Sequence, residues 1–385
     1  MRRVLIIAGE PSADMHGAGL VRAIRSQVVA GIGGDQDIEF VGIGGPLMRE
    51  AGVNLVFDAD KIAVVGISEV LRHLGDIRRA FNAMVAESVN SHIDLGILID
   101  FPDFNLRIAK RLARHGVPLV YYIPPQVWAW RKGRIRKIAQ YFKKVLVIFK
   151  FEEAFYRDAG VAVTFVGHPL VKEVKMSDSK EGLFRTYGIP VGARVVALLP
   201  GSRTSEVKRH LPIMLRAAER LSRAYEGLNF VVPVLGSQAA TCGQMIAACD
   251  VPVKLIMDDT YNAVGMSDFA IVASGTATLE TALLGVPMVV VYRVSLLSHI
   301  VARILLSIKR IGIVNIATGQ DIVPELIQDN LNPESLADMI GVYLKDREAY
   351  ETMKRGYEKL RDVLGNTDAS RKAGEEIVGI LKALP

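Results

Sequence analysis

The chain of 385 residues holds only two cysteines, Cys242 and Cys249. Two thiols exclude a disulfide framework, and without a second pair they do not make a cysteine zinc site. A reducing, cytoplasmic setting is the expectation. Long apolar runs are also lacking. The most lipid-like stretch, Gly285 to Ile308, is broken by Arg293, His299 and Arg303, whereas a membrane span needs about 20 consecutive, mostly apolar residues. Any membrane contact is therefore expected to be peripheral. Arg2 and Arg3 ahead of Val4 to Ala8 imitate a signal peptide, but the run is short and Glu10 follows closely, so a first β-strand is the better reading. That strand is not followed by G-x-G-x-x-G, which argues against a dinucleotide site. Repeats and low-complexity segments are absent.

What is present is an ordinary globular balance, half apolar and 23% charged, with 34 glycines. The length suggests two domains. Lys and Arg number 47 against 41 Asp and Glu, a net charge of +6, which favours anionic partners: a phosphorylated ligand, nucleic acid or anionic lipid. Nucleic acid is the weakest of these, because no recognition motif accompanies so thin a charge. Apolar runs followed by glycine-bearing loops and helical patterns recur: RVLIIAG, IEFVGIGG, LGILID, PLVYYI, KVLVIF and VTFVGH, then, after the polar MSDSKEG, RVVALLPGSR, NFVVPVLG, VKLIM, FAIVASGT and PMVVVY. All-apolar runs of this kind are parallel strands covered on both faces. The fold class is α/β, with two doubly wound, Rossmann-like domains facing a cleft. The expected division is 1–172, 173–345 and a helical 346–385 that packs on or across the domains.

Ligands of such sheets sit beyond the carboxyl ends of the strands, so the loops there carry the candidates. AGEPSADMHGAG brings Glu10, Ser12 and His16 to the end of the first strand, with a helix expected from about Asp14; a routine βα turn is the alternative. IDFPDFN places Asp100 just past a strand, with Asp103 and Asn105 after it. Asp100 is suited to accept a proton, while Asp103 and Asn105 can bind substrate or cap a helix. YYIPPQVWAWRKGR contains both tryptophans of the chain, Trp128 and Trp130, either as a buried clamp or as the lining of a sugar or acyl site. PGSR presents Ser202 and Arg203, and SGTATLE presents Ser274, Gly275, Thr276, Thr278 and Glu280. Hydroxyls and backbone N–H groups at helix N-termini suit a diphosphate, and Glu280 can accept from ribose hydroxyls; ordinary capping is the alternative.

Two segments bear on surfaces. From Arg131 to Lys144 there is no acidic residue. Helical spacing there groups Ile135, Ile138, Ala139, Phe142 and Val145 opposite Lys132, Arg136, Lys137, Lys143 and Lys144, which is either a solvated helix or a face for anionic lipid. SLLSHIVARILLSIKR reads as a core helix, an oligomer contact consistent with a homodimer, or a lipid-handling surface.

In this order, AGEPSADMHGAG, GIGGPLM, GISEVL, IDFPDFNL, YYIPPQVWAWR, FEEAFY, FVGHPL, LLPGSR, ASGTATLE, PMVVVYR and VNIATGQDIVPELIQ resemble the lipid-A-disaccharide synthase family nearly from end to end. The resemblance implies an inverting glycosyltransferase of GT-B type. Such an enzyme joins UDP-2,3-diacylglucosamine to 2,3-diacylglucosamine 1-phosphate and forms a β-1,6 disaccharide and UDP, with no metal or other cofactor, at the cytoplasmic face of a Gram-negative inner membrane. It further implies Asp100 as the base, Glu10, Ser12 and His16 in the first cleft loop, Arg203 at the diphosphate, Ser274, Thr276 and Glu280 at the donor, and Asn315 in the substrate-binding set. Ala13 stands where the family usually has glycine, and Lys150 where it has proline. The rival readings are a UDP-GlcNAc epimerase, a glycosyltransferase with a soluble acceptor, and a non-catalytic peripheral membrane protein.

Overall fold

The computed structural model describes residues 1–29, 37–59, 67–125, 133–293 and 310–384. Trp128, Trp130, Arg131 and Lys132, together with the whole of residues 294–309, lie outside the described residues.

The chain forms two compact units, Met1–Pro169 with Leu364–Pro385, and Leu170–Val363. In the first, strands β1 (Arg2–Ala8), β2 (Ile38–Gly44), β3 (Val53–Asp58), β4 (Leu95–Ile99), β5 (Leu119–Tyr122), β6 (Lys144–Val147) and β7 (Val163–Phe165) form one sheet in the order β3-β2-β1-β4-β5-β6-β7. Every pairing is parallel. The central strands β4 and β5 are buried at every residue, as all-apolar sequences covered on both faces should be. The helices Ile67–Asn90, Pro102–Arg114 and Arg134–Tyr141 supply Ala80, Met84, Ile108, Leu112 and Ile138 to the core on one face. The other face is closed by Pro11–Val29 and by Ala369–Lys382.

The second unit repeats the design with β8 (Arg194–Leu199), β9 (Leu228–Val234), β10 (Val253–Met257), β11 (Phe269–Ala273), β12 (Met288–Tyr292) and β13 (Glu325–Ile327), ordered β10-β9-β8-β11-β12-β13. Again all pairings are parallel.

Two sequence expectations change, and the terminal helices divide between the units. Arg347–Leu364 packs on the second unit, where the Tyr357 hydroxyl donates to the Val286 carbonyl at 3.2 Å. Ala369–Lys382 returns to the first, where Gln27 Nε2 donates to the Arg371 carbonyl at 2.9 Å. The basic helix ends at Tyr141, because Phe142 turns extended and Val145 enters β6. Within it Arg134 is buried and Ala139 exposed, and Lys144 pairs with Glu376. The first helix begins at Pro11 rather than Asp14, since proline's fixed φ suits the first helical position. Among the described residues, no helix is long and apolar enough to cross a membrane.

Candidate active site

In each sheet the strand order reverses at one point, between β1 and β4 in the first unit and between β8 and β11 in the second. Chain connections leave such a switch point in opposite directions, which opens a crevice at the carboxyl ends. The loops after these four strands are AGEPSADMHGAG, IDFPDFNL, LLPGSR and ASGTATLE.

In the first loop the Asp14 N–H donates to the Glu10 carbonyl at 2.9 Å, so Glu10 occupies the N-cap of Pro11–Val29, where the helix dipole favours its carboxylate. Ser12 is exposed and His16 half-buried. Ala13 is buried in the core, inside the helix, where alanine is favoured over glycine by about 1 kcal/mol. Asp14 escaped the sequence reading. It is buried and accepts the N–H groups of Gly45 (2.7 Å), Leu47 (3.0 Å) and Met48 (3.1 Å), and so ties the GIGGPLM loop to the first helix.

Asp100 follows β4 in an unusual backbone. Asp100 and Phe101 both adopt the left-handed region, at φ 44° and 45°, which non-glycine residues enter at a cost of about 1–3 kcal/mol each. Burial first, and then the nearby Glu10 carboxylate, pushes the Asp100 carboxyl up to about 6. The Phe101 N–H and His16 pull the other way. A carboxylate poised near neutrality is a better base than one at the ordinary value. His168, from FVGHPL, is buried against Phe149, ring centroids 5.2 Å apart. Loss of water, then the charge of His16, lowers it to about 3, which keeps it neutral.

Asp103 is exposed and pairs with Arg134 at 2.6 Å, and no side chain caps the helix Pro102–Arg114. Asn105, also in the expected substrate-binding set, turns inward. It is fully buried, and its Nδ2 donates to the carbonyls of Ile99 (3.1 Å) and Asp100 (2.7 Å). The Trp128 expectation falls outside the described residues.

In the second unit Gly201 has φ 115°, and a Cβ there would stand 2.5 Å from Glu206 Oε2. Glycine therefore lets the loop fold over that carboxylate, which accepts from the Arg203 N–H (3.3 Å) and its guanidinium (3.4 Å). Arg203 caps Thr204–Ala224 and remains 59% exposed, free enough in solvent to meet an anion. Ser202 is exposed, and its carbonyl accepts from Gln238 Nε2. His210, missed in the sequence, is buried beneath: Nδ1 donates to the Pro200 carbonyl at 2.8 Å and Nε2 accepts the Arg293 N–H at 3.0 Å. A carbonyl only accepts and a peptide N–H only donates, so the ring is neutral with its proton on Nδ1; burial lowers its pKa accordingly.

Across that switch point the Ser274 hydroxyl donates to the Ile311 carbonyl at 2.8 Å. Thr276 is exposed, and space stands open where a Gly275 side chain would be. Glu280 is half-buried and accepts from the Tyr261 hydroxyl at 3.3 Å. Burial raises its pKa, which the Tyr261 bond offsets in part. Thr278 and Asn315, both in the expected substrate-binding set, are buried. Thr278 is fully buried and donates to the Gly275 carbonyl at 2.8 Å, holding the loop's shape. Asn315 is buried with both ends occupied: Nδ2 donates to Val323 O and Glu325 Oε1, while Oδ1 accepts the Ile322 and Val323 N–H groups. Glu325 in turn accepts the N–H groups of Ile311 and Gly312, each at 2.9 Å. Asn315 thus braces the segment that meets Ser274.

Residues 4–377 match the family model described as lipid-A-disaccharide synthetase. The lipid-A-disaccharide synthase of Geobacter sulfurreducens is 42% identical over 381 residues, covering 98% of this chain and 96% of that protein. That of Syntrophus aciditrophicus is 44% identical over 381 residues, 98% of each. Among solved structures, the UDP-GlcNAc 2-epimerase of Neisseria meningitidis, bound to UDP-GlcNAc, aligns with a TM-score of 0.65 at 10% identity over 100% of both chains. MurG of Acinetobacter baumannii aligns with a TM-score of 0.58 at 14% identity, also over 100% of both. At such identities these likenesses establish the fold, that shared by GT-B glycosyltransferases and related epimerases.

Proposed function

The chain belongs to the lipid-A-disaccharide synthase family, and from that premise we propose how its residues perform the glycosyl transfer. The donor is UDP-2,3-diacylglucosamine and the acceptor 2,3-diacylglucosamine 1-phosphate. The acceptor 6-hydroxyl oxygen attacks the donor's anomeric carbon as the bond to UDP breaks, and the hydroxyl proton passes to Asp100. The product is a β-1,6 disaccharide with inverted configuration, plus UDP. Glu10 and His16 tune the charge of Asp100, and Ser12 and Asp103 face the acceptor.

On the donor side, Arg203 and the N–H groups opening Thr204–Ala224 receive the diphosphate, together with Ser202, Ser274, Gly275 and Thr276. Glu280 accepts from the ribose. Donors fixed in advance against a leaving diphosphate stabilise the charge that develops in the transition state. With that charge met by protein groups, the transfer needs no metal. The observation that carries the reading is Asp100: a carboxylate on a switch-point loop, raised to about 6 by burial and by Glu10.

We further infer a peripheral site on the anionic, cytoplasmic surface of a Gram-negative inner membrane. Arg107, Lys110, Arg111 and Arg114 on one helix and Arg136 and Lys137 on the next are all exposed. Each cation near such a surface contributes about 1 kcal/mol.

The test is to incubate the protein with both diacylated sugars in detergent, with and without EDTA, and to follow disaccharide and UDP by mass spectrometry. Absence of product sinks the reading, and loss of activity in EDTA sinks its metal-free part. Turnover of bare UDP-N-acetylglucosamine at the same rate would favour the epimerase.

A further inference from the structure

The peptide that joins Asp100 to Phe101 is held by two buried donors from elsewhere in the first unit. The Asp100 carbonyl accepts Asn105 Nδ2 at 2.7 Å and the Tyr121 hydroxyl at 2.9 Å, which occupies both its lone pairs. Both donor residues are fully buried. The second Nδ2 proton of Asn105 goes to the Ile99 carbonyl at 3.1 Å, and its backbone N–H goes to the Phe101 carbonyl at 2.9 Å. Three successive carbonyls, of Ile99, Asp100 and Phe101, are therefore bonded to one residue. On the other side the Asp100 N–H donates to the Tyr122 carbonyl at 3.2 Å.

These bonds surround the two residues at φ 44° and 45°. Left alone, an aspartate followed by a phenylalanine relaxes to ordinary negative φ, since the left-handed region is unfavourable for both. A strained pair persists only where its surroundings over-determine it. Relaxation would rotate the Asp100 Cα–Cβ bond and re-aim the carboxylate.

We propose that Asn105, with Tyr121, is a positioning residue for this glycosyl transfer: it clamps the Asp100–Phe101 peptide in its left-handed form and so fixes the direction of the Asp100 carboxylate. The proposal rests on Asp100 being the base. It gives Asn105 a role distinct from substrate contact, and it gives a use to the Tyr121 hydroxyl, which would otherwise be an unneeded polar group in a core.

The experiment is a double-mutant cycle in the full-length enzyme, with Asn105→Leu and Asp100→Asn alone and combined, reading kcat, UDP affinity by calorimetry and the pH profile. Misaiming a reacting group by about 1 Å costs on the order of 10²-fold, so Asn105→Leu should lower kcat by about that factor with UDP affinity unchanged. In the Asp100→Asn background the same change should cost less than about 3-fold, because residues acting through one another are not additive. The acid-side break of kcat/KM should also move down from about 6 as the carboxylate gains water. Tyr121→Phe, which removes one oxygen, should repeat the pattern more weakly and serves if Asn105→Leu does not fold. Full additivity, or a parallel fall in UDP affinity and kcat, overturns the positioning role and leaves the base reading standing. An Asp100→Asn enzyme as active as the parent overturns both.

Discussion

The ring of Phe101 lies where a side chain on residue 9 would begin: a Cβ on Gly9 would stand 2.3 Å from Phe101 Cδ1. The ring also stacks on Phe104, centroid to centroid at 5.1 Å. The loops after β1 and β4 are therefore interlocked at the switch point, and the backbone that carries Asp100 leans on a glycine one residue before Glu10. Gly9→Ala should destabilise the protein by about 1–3 kcal/mol, as overpacking does, and lower kcat more than donor KM. Thermal melting with steady-state kinetics checks this; an unchanged melting point and rate would show that the ring has room to move.

Removal of the base should separate chemistry from binding. Asp100→Ala is expected to reduce transfer by about 10²–10⁴-fold, the usual contribution of general-base catalysis, with UDP affinity within a factor of a few. Loss of affinity in step with activity would show that Asp100 supports the fold or the nucleotide instead.

The pH dependence follows from the same carboxylate. It works ionised, so kcat/KM should be full above about 6 and fall as the pH drops through that value. Burial is the larger cause and stays in any surface variant, but the Glu10 contribution can be removed. Glu10→Gln should shift the break to lower pH and His16→Ala to higher pH. A break near the ordinary carboxylate value in the parent enzyme would refute the assignment.

Arg203→Ala should weaken UDP binding and leave the acid-side break in place. The loss of one charged donor at a leaving diphosphate also costs about 10²–10³ in kcat. Calorimetry with UDP is the deciding measurement, and unchanged affinity would exclude a phosphate role.

Stability should fall in acid through His168. Its pKa is lowered to about 3 in the folded protein, against an ordinary 6.5. The contribution of the neutral ring is fully present above 6.5 and is lost as the pH falls from there toward 3. Asp100, raised to about 6, acts in the opposite sense, and its contribution is lost as pH rises through 6. Chemical denaturation at pH 7 and pH 5 should show a smaller decline in His168→Asn than in the parent. Equal declines would place the acid sensitivity elsewhere.

Much of the fold could be read along the chain, because strands buried on both faces must be apolar throughout. The two strands that escaped, β3 and β13, are both sheet edges. β3 runs VNLVFD with a single buried residue, and β13 has three residues. An edge strand is partly open to solvent and lacks the continuous apolar signature. The helix after Gly133 ends early for a related reason: helical spacing continues through Phe142 to Val145, but pairing with β5 draws that stretch into β6.

By itself the sequence determined the parallel α/β class, the two units, and the four loops that carry Glu10, Asp100, Arg203 and Ser274, since these depend on local runs of side chains and on turn chemistry. Only the tertiary structure decided which polar residues face inward. Asn105, Thr278 and Asn315 have the same composition of donors and acceptors whether they touch a ligand or a backbone carbonyl. Their burial and their bonds to nearby backbone are visible only in the folded chain. Asp14 and Tyr121 became visible for the same reason: their partners lie 31 and 21 residues away. A polar side chain's role is set by the groups that desolvate and bond it, and in a doubly wound sheet many of the groups that desolvate it come from strands distant in the chain.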